Sequence, residues 1–130
     1  MSHYSEIKTQ IRDTQHLVTA LVQMGIKKDH IKVDEKGMTC RGYGNQRRRA
    51  QVKVTKEAGI SSWSAETGWE RQADGSMTCY QDGVNKKWLS QLESEYARAV
   101  TVEKARQTGW FVQQNSWNEN KTELTIRITQ

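Results

Sequence analysis

The chain has 130 residues, 27 % of them charged and 35 % apolar, with 20 basic against 15 acidic side chains for a net charge of +5. That is the length of one domain, enough to bury roughly two-thirds of its unfolded surface. No run of about 18 apolar residues exists to cross a membrane, and the complete lack of proline removes prolyl isomerisation as a slow folding step.

Mean hydropathy is −0.89, so the core must be small and partly built from the five Trp and four Tyr. Clean periodic patterns argue for a folded chain and not a disordered one. The opening Met1–Glu6 has no basic segment followed by an apolar one, so no secretory signal is predicted and a cytoplasmic setting is expected. Cys40 and Cys79 lie far apart and form no CxxC pair. In that setting they are expected to be reduced thiols on strands. The positive balance favours an acidic partner weakly, through an attraction that salt screens.

Residues 3–11 alternate, with His3, Ser5, Ile7, Thr9 and Ile11 on one face and Tyr4, Glu6, Lys8 and Gln10 on the other. This predicts a half-buried strand. Asp13 caps a predicted helix over 14–24, whose apolar face is Leu17, Val18, Leu21, Val22 and Met24, and Gly25 ends it. Residues 26–36 are mostly charged and read as a connection with a short edge strand at 31–33. Met38–Tyr43 and Ala50–Thr55 read as a hairpin, and Gly44–Arg49 as its loop, with Arg47, Arg48 and Arg49 at a basic tip.

Trp63, Ala65, Thr67 and Trp69 share one face of a predicted strand near 61–71. Asp74-Gly75 is a turn signal, and Met77–Tyr80 returns as the partner strand. The clearest element follows, from Asn85 to Gly109. Leu89, Leu92, Tyr96, Val100 and Ala105 make one apolar stripe on a helical period, with Glu93, Glu95, Arg98 and other charges off it. Asn85 suits the N-cap and Gly109 the terminator. Trp110–Gln114 and Thr122–Thr129 then form a last hairpin.

These elements add up to a single α+β domain over 1–130, with an antiparallel sheet of about six or seven strands packed against one long and one shorter helix. The order strand, helix, strand, strand at 3–55 can be read again at 76–129. Lys36-Gly37-Met38-Thr39-Cys40 is echoed by Gly75-Ser76-Met77-Thr78-Cys79, and a tandem duplication would explain both.

No constellation rises to a catalytic motif. A nucleophile needs a base in hydrogen-bond reach, and His3, His16 and His30 sit together early in the chain with no motif around a Ser or Cys. Zinc needs three or four ligands clustered by spacing, which two isolated Cys and three isolated His do not supply. No cofactor or metal is expected, and the chain reads as a non-enzyme. Arg47, Arg48 and Arg49 are the sharpest surface feature. Three adjacent guanidinium groups can grip phosphates or a carboxylate patch, or they can simply be a solvated loop that blocks edge-to-edge pairing. Trp117, in a polar stretch between two strands, is the candidate for a protein contact.

The opening Met1-Ser2-His3-Tyr4-Ser5-Glu6-Ile7-Lys8-Thr9-Gln10-Ile11, the tripeptide Arg41-Gly42-Tyr43, and the helix end Tyr96–Gly109 followed by a strand resemble the family called hypothetical chloroplast reading frame thirty-five. That family comes from cyanobacteria and algal plastid genomes and has no known activity. The resemblance implies a phototroph's cytoplasm or plastid stroma, or a virus of a phototroph. It also makes His3, Arg41 and Tyr43 the first candidates for a shared site. The Arg47–Arg49 run departs from the family pattern.

Three readings follow from the residues. The first is a small non-enzymatic adaptor that holds an unidentified protein partner. The second is a nucleic-acid binder that grips single-stranded RNA through Arg47–Arg49. The third is a small-ligand or enzyme site around His3 and Arg41. An exposed edge strand would also allow a homodimer.

Overall fold

The computed structural model describes residues 4–61 and 64–109 with their side chains, and the backbone of 111–117 and 124–129. In chain order the elements are β1 (Ser5–Lys8), α1 (Thr14–Gln23), β2 (Ile31–Arg41), β3 (Arg47–Val54), β4 (Thr67–Arg71), β5 (Met77–Gln81), α2 (Lys86–Gln107), β6 (Phe111–Trp117) and β7 (Leu124–Thr129). The fold is α+β, as the periodicities indicated, with one long and one shorter helix.

The main sheet has five strands in the order β1-β5-β4-β3-β2, not six or seven, and every pairing in it is antiparallel. Among the described residues β6 and β7 pair only with each other, as a separate two-stranded sheet. Element lengths account for the difference. The 22 residues of α2 rise about 33 Å, whereas the five residues of β5 cover about 17 Å. The helix therefore delivers the chain past the end of the sheet. The repeated strand, helix, strand, strand order holds along the chain, but β2–β3 joins the main sheet and β6–β7 does not.

Both helices lie on one face of the sheet. Leu17, Ala20 and Leu21 of α1 and Leu92 and Tyr96 of α2 share a core with Ile31, Val52, Val54, Trp69, Met77 and Cys79. Leu89, Trp88 and Val100 pack against its edge. The caps are those the sequence implied. Asp13 Oδ1 accepts from the His16 N–H, and Asn85 Oδ1 accepts from the N–H groups of Lys87 and Trp88 at 2.8 and 3.2 Å, so orphan donors at each helix start are satisfied. The Tyr96 hydroxyl accepts from the backbone N–H groups of Arg12 and Asp13, both at 2.9 Å, which ties α2 to the entry of α1. Glu95, assigned to solvent by its place off the apolar stripe, is buried at 8 % exposure and pairs with Arg98 at 3.0 Å.

The connection expected at 26–36 is largely strand. β2 runs from Ile31 to Arg41, and its register against β3 shifts between Val33 and Met38. Gly37 sits in this irregularity at φ 98°, where a side chain would be strained and would meet the Arg49 side chain. Such a bulge bends and coils a strand. The outer half of the hairpin accordingly bends across the sheet face opposite the helices, bringing the Cys40 Sγ and Ala50 Cβ against Gly68 of β4. A second small core forms there from Tyr4, Cys40, Ala50 and Tyr80. Tyr4 is therefore buried at 7 % exposure, although alternation in residues 3–11 assigned it to the outer face. Its hydroxyl donates to the Glu66 carbonyl at 2.8 Å and lies 3.3 Å from the Cys40 Sγ.

Candidate basic cleft at the hairpin end

The three consecutive arginines do not occupy a loop. They open β3, and the turn of the hairpin is the shorter Gly42–Gln46. The Gly42 N–H donates to the Gln46 carbonyl at 2.9 Å, and Gly44 supplies the positive φ of 66° that the reversal needs. A strand sends successive side chains to opposite faces, so the expected basic tip is split.

Arg48 faces the second core. Its guanidinium lies 5.6 Å from the centroid of the Tyr80 ring and 3.6 Å from Glu6, a cation–π contact backed by an ion pair. The Tyr80 hydroxyl donates to Glu70 at 2.6 Å. Burial, and then this bond to a carboxylate, push its pKa up to about 12. Arg49 donates to the Lys36 carbonyl beside the bulge. Both cations thus have structural partners.

Arg47 is placed differently. It is the direct cross-strand partner of Arg41, and both side chains line a cleft of about 310 Å³ together with Lys56, Glu57, Ser64 and Glu66. Like charges directly opposite on paired strands repel, and among the described residues neither Arg41 nor Arg47 has an ion pair. Of the two carboxylates, Glu66 is already committed. It accepts from Lys53 Nζ and from the Arg41 N–H, each at 3.0 Å, while its own N–H donates to the Arg41 carbonyl at 2.8 Å. This ladder of bonds fixes the backbone of Arg41 at the cleft wall. Glu57 is fully exposed, and its own backbone N–H and the Thr55 side chain hold its carboxyl below the usual range. Three cations thus face one solvated carboxylate.

Tyr43 stands in the turn beside the cleft and is 45 % exposed. Two of the three residues that carry the family resemblance, Arg41 and Tyr43, therefore lie at this hairpin end. His3 lies outside the described residues, as does the side chain of Trp117, whose backbone belongs to β6. Glu66 and Ser64 were missed from the sequence, because their only signal is position: both precede β4, which begins at Thr67, and Trp63 of the same expected strand lies outside the described residues.

Elsewhere the chemistry is quiet. Among the described residues no group of three or more His, Cys, Asp or Glu could hold a metal ion, and no helix is long and apolar enough to cross a membrane. Cys40 and Cys79 are free and buried. Burial pushes the Cys40 thiol up to about 11 and that of Cys79 higher still, which leaves both protonated and unreactive near neutral pH. A larger groove of about 810 Å³ runs between α1 and α2, where Arg98 pairs with Glu95 at 3.0 Å and the His16 Nδ1 lies 3.1 Å from Asp13.

Neither a curated protein nor a solved structure is found to match the chain. The profile of a family described as protein of unknown function, DUF1257, matches residues 20–129, a span that includes Arg41, Tyr43 and Arg47 but not the opening motif, and the chain belongs to that family.

Proposed function

We propose that this protein is a small non-enzymatic adaptor that holds an acidic segment of a protein partner in the Arg41–Arg47–Lys56 cleft. The observation that carries this reading is that Arg41 and Arg47 are cross-strand partners on β2 and β3 and line one cleft with Lys56, with no ion pair to either arginine among the described residues. A carboxylate or phosphate seated between them would replace repulsion by charge-assisted, bidentate bonds. The setting proposed with it is the cytoplasm or plastid stroma of an oxygenic phototroph, or a virus of one. That part rests on the opening motif, Arg41-Gly42-Tyr43 and the helix end Tyr96–Gly109.

The arrangement favours a discrete anionic group over a nucleic-acid strand. RNA binding without sequence preference wants a track of cations along the backbone with successive aromatic platforms. Here Arg48 and Arg49 are turned away to structural partners, and one exposed tyrosine flanks the cleft. The site around His3 and Arg41 has less support, since only Arg41 of the two is described.

The test is fluorescence anisotropy of a labelled Asp/Glu-rich decapeptide bearing one phosphoserine, compared with a labelled ten-nucleotide oligo(U), over a range of salt. The proposal expects the peptide to bind more tightly, with a salt dependence of the two or three charges the cleft supplies. Tighter binding of oligo(U), with a logarithmic salt slope beyond about −3, would require more phosphate contacts than the cleft offers and would replace the adaptor reading by the RNA reading.

A further inference from the structure

On the helix-covered face, away from the basic cleft, the sheet and the first half of α2 do not close completely. A cavity of about 220 Å³ remains between β1, β4, β5 and α2. Its floor is apolar: Ile11, Trp69, Cys79 and Leu92 reach it, each at most 2 % exposed. The Cys79 thiol there behaves as a small hydrophobe, since its raised pKa keeps it protonated. Its rim is one side of α2, where Lys86, Ser90 and Glu93 stand four and three residues apart and are exposed.

An apolar pocket with a few converging polar groups is the usual form of a small-molecule site. We infer that this cavity takes a small aliphatic molecule carrying a primary amine, with its chain on Trp69 and Leu92 and its head at the Glu93 carboxylate. At the ~30 Å³ that a water occupies in the liquid, the space suits about seven non-hydrogen atoms.

The choice of a cationic head rests on the two charges at the rim. Lys86 is on the first turn of the helix and exposed, with its ammonium able to extend into water. Glu93 stands two turns further along the helix and lines the cavity beside Leu89 and Leu92. Desolvation raises its pKa, and only the Gln10 backbone N–H opposes that rise. An ammonium ion arriving from the cavity would add a charge-assisted partner to that single backbone bond. A carboxylate ligand would instead be repelled by Glu93.

The experiment is a titration of the full-length protein with n-hexylamine, 1-hexanol and hexanoate, followed by amide chemical-shift perturbation. Three shared expectations define the site. Hexylamine should bind at least about tenfold more tightly than hexanoate, the scale of one charge-assisted hydrogen bond. Glu93→Gln should bring hexylamine to the level of hexanol, and Ser90→Trp, which closes the mouth, should abolish binding of both. Each variant is exposed on α2, and a wild-type far-ultraviolet spectrum shows that it has folded. Absence of binding by all three molecules, equal binding of hexanoate, or an unchanged hexylamine affinity in Glu93→Gln would each overturn the assignment.

Discussion

Arg41 and Arg47 are direct partners across the β2–β3 hairpin, two like charges on facing strands with Lys56 on the same cleft. A fold gains nothing from that arrangement, because facing like charges weaken a sheet. Replacing Arg47 by alanine should therefore leave stability within about 0.5 kcal/mol of wild type, on either side. Urea denaturation checks this. A loss beyond about 1 kcal/mol would mean that Arg47 holds the fold together and is not held in reserve for a ligand.

Arg48 should behave oppositely, although it is the next residue. Its guanidinium lies over Tyr80 and beside Glu6, but its side chain is 40 % exposed, so solvent screens the pair. Arg48→Ala should cost about 0.5–1 kcal/mol, and the double variant with Glu6→Ala should cost less than the sum of the two singles. Additive single effects in denaturation would show that the contact contributes nothing.

The second core depends on the absence of one side chain. A Cβ on Gly68 would stand 2.7 Å from the Cys40 Sγ and 3.0 Å from the Ala50 Cβ, all within the buried layer that the bent hairpin makes. Gly68→Ala should lower stability by about 1–3 kcal/mol through overpacking, and a second change, Cys40→Ala, should recover part of it. Thermal unfolding of the three variants measures the recovery. If Gly68→Ala is neutral, the hairpin does not press on this face.

Glu93 gives a pH signature with a definite sign. Its pKa is raised above the ordinary 4.5, chiefly by desolvation, so the folded state holds this proton to higher pH than the unfolded chain does. Its contribution is most favourable at acid pH and is lost as pH rises from the ordinary value through the raised one. The stability of Glu93→Gln relative to wild type should therefore increase between about pH 4 and pH 7. A difference that stays flat over that range would place the carboxylate in open water.

How much of this could be read beforehand depended on whether the signal was local. The Asn85 cap and the stripe through Leu92 and Tyr96 are properties of one segment, and α2 follows them closely. The strand positions of Arg47, Arg48 and Arg49 were not legible, because three cations carry no apolar alternation and resemble a loop. Their strand character comes from pairing with Thr39, Cys40 and Arg41, a register set by the five-residue turn Gly42–Gln46. Tyr4 was misassigned for a related reason. Alternation names two faces of a strand but cannot say that a hairpin from elsewhere will cover the outer one.

Arg41 and Arg47 were both marked from the sequence on separate grounds, one from the family resemblance and one from the charge run. Nothing local showed that they would be opposite one another. Glu66, which anchors Arg41 and removes Lys53 from the free cations, came into view only through the bend at Gly37. Long-range convergence of this kind is fixed by topology, and the chain pattern does not carry it.

The most direct measurement of the central claim is the affinity of the labelled acidic phosphopeptide for four single variants, Arg41→Ala, Arg47→Ala, Arg48→Ala and Arg49→Ala, at one salt concentration. Each removes one positive charge, so bulk electrostatics changes equally in all four. The account predicts that Arg41→Ala and Arg47→Ala each weaken binding about tenfold or more, while Arg48→Ala and Arg49→Ala stay within about twofold of wild type. An equal loss in all four, or the largest loss in Arg48→Ala, would contradict it.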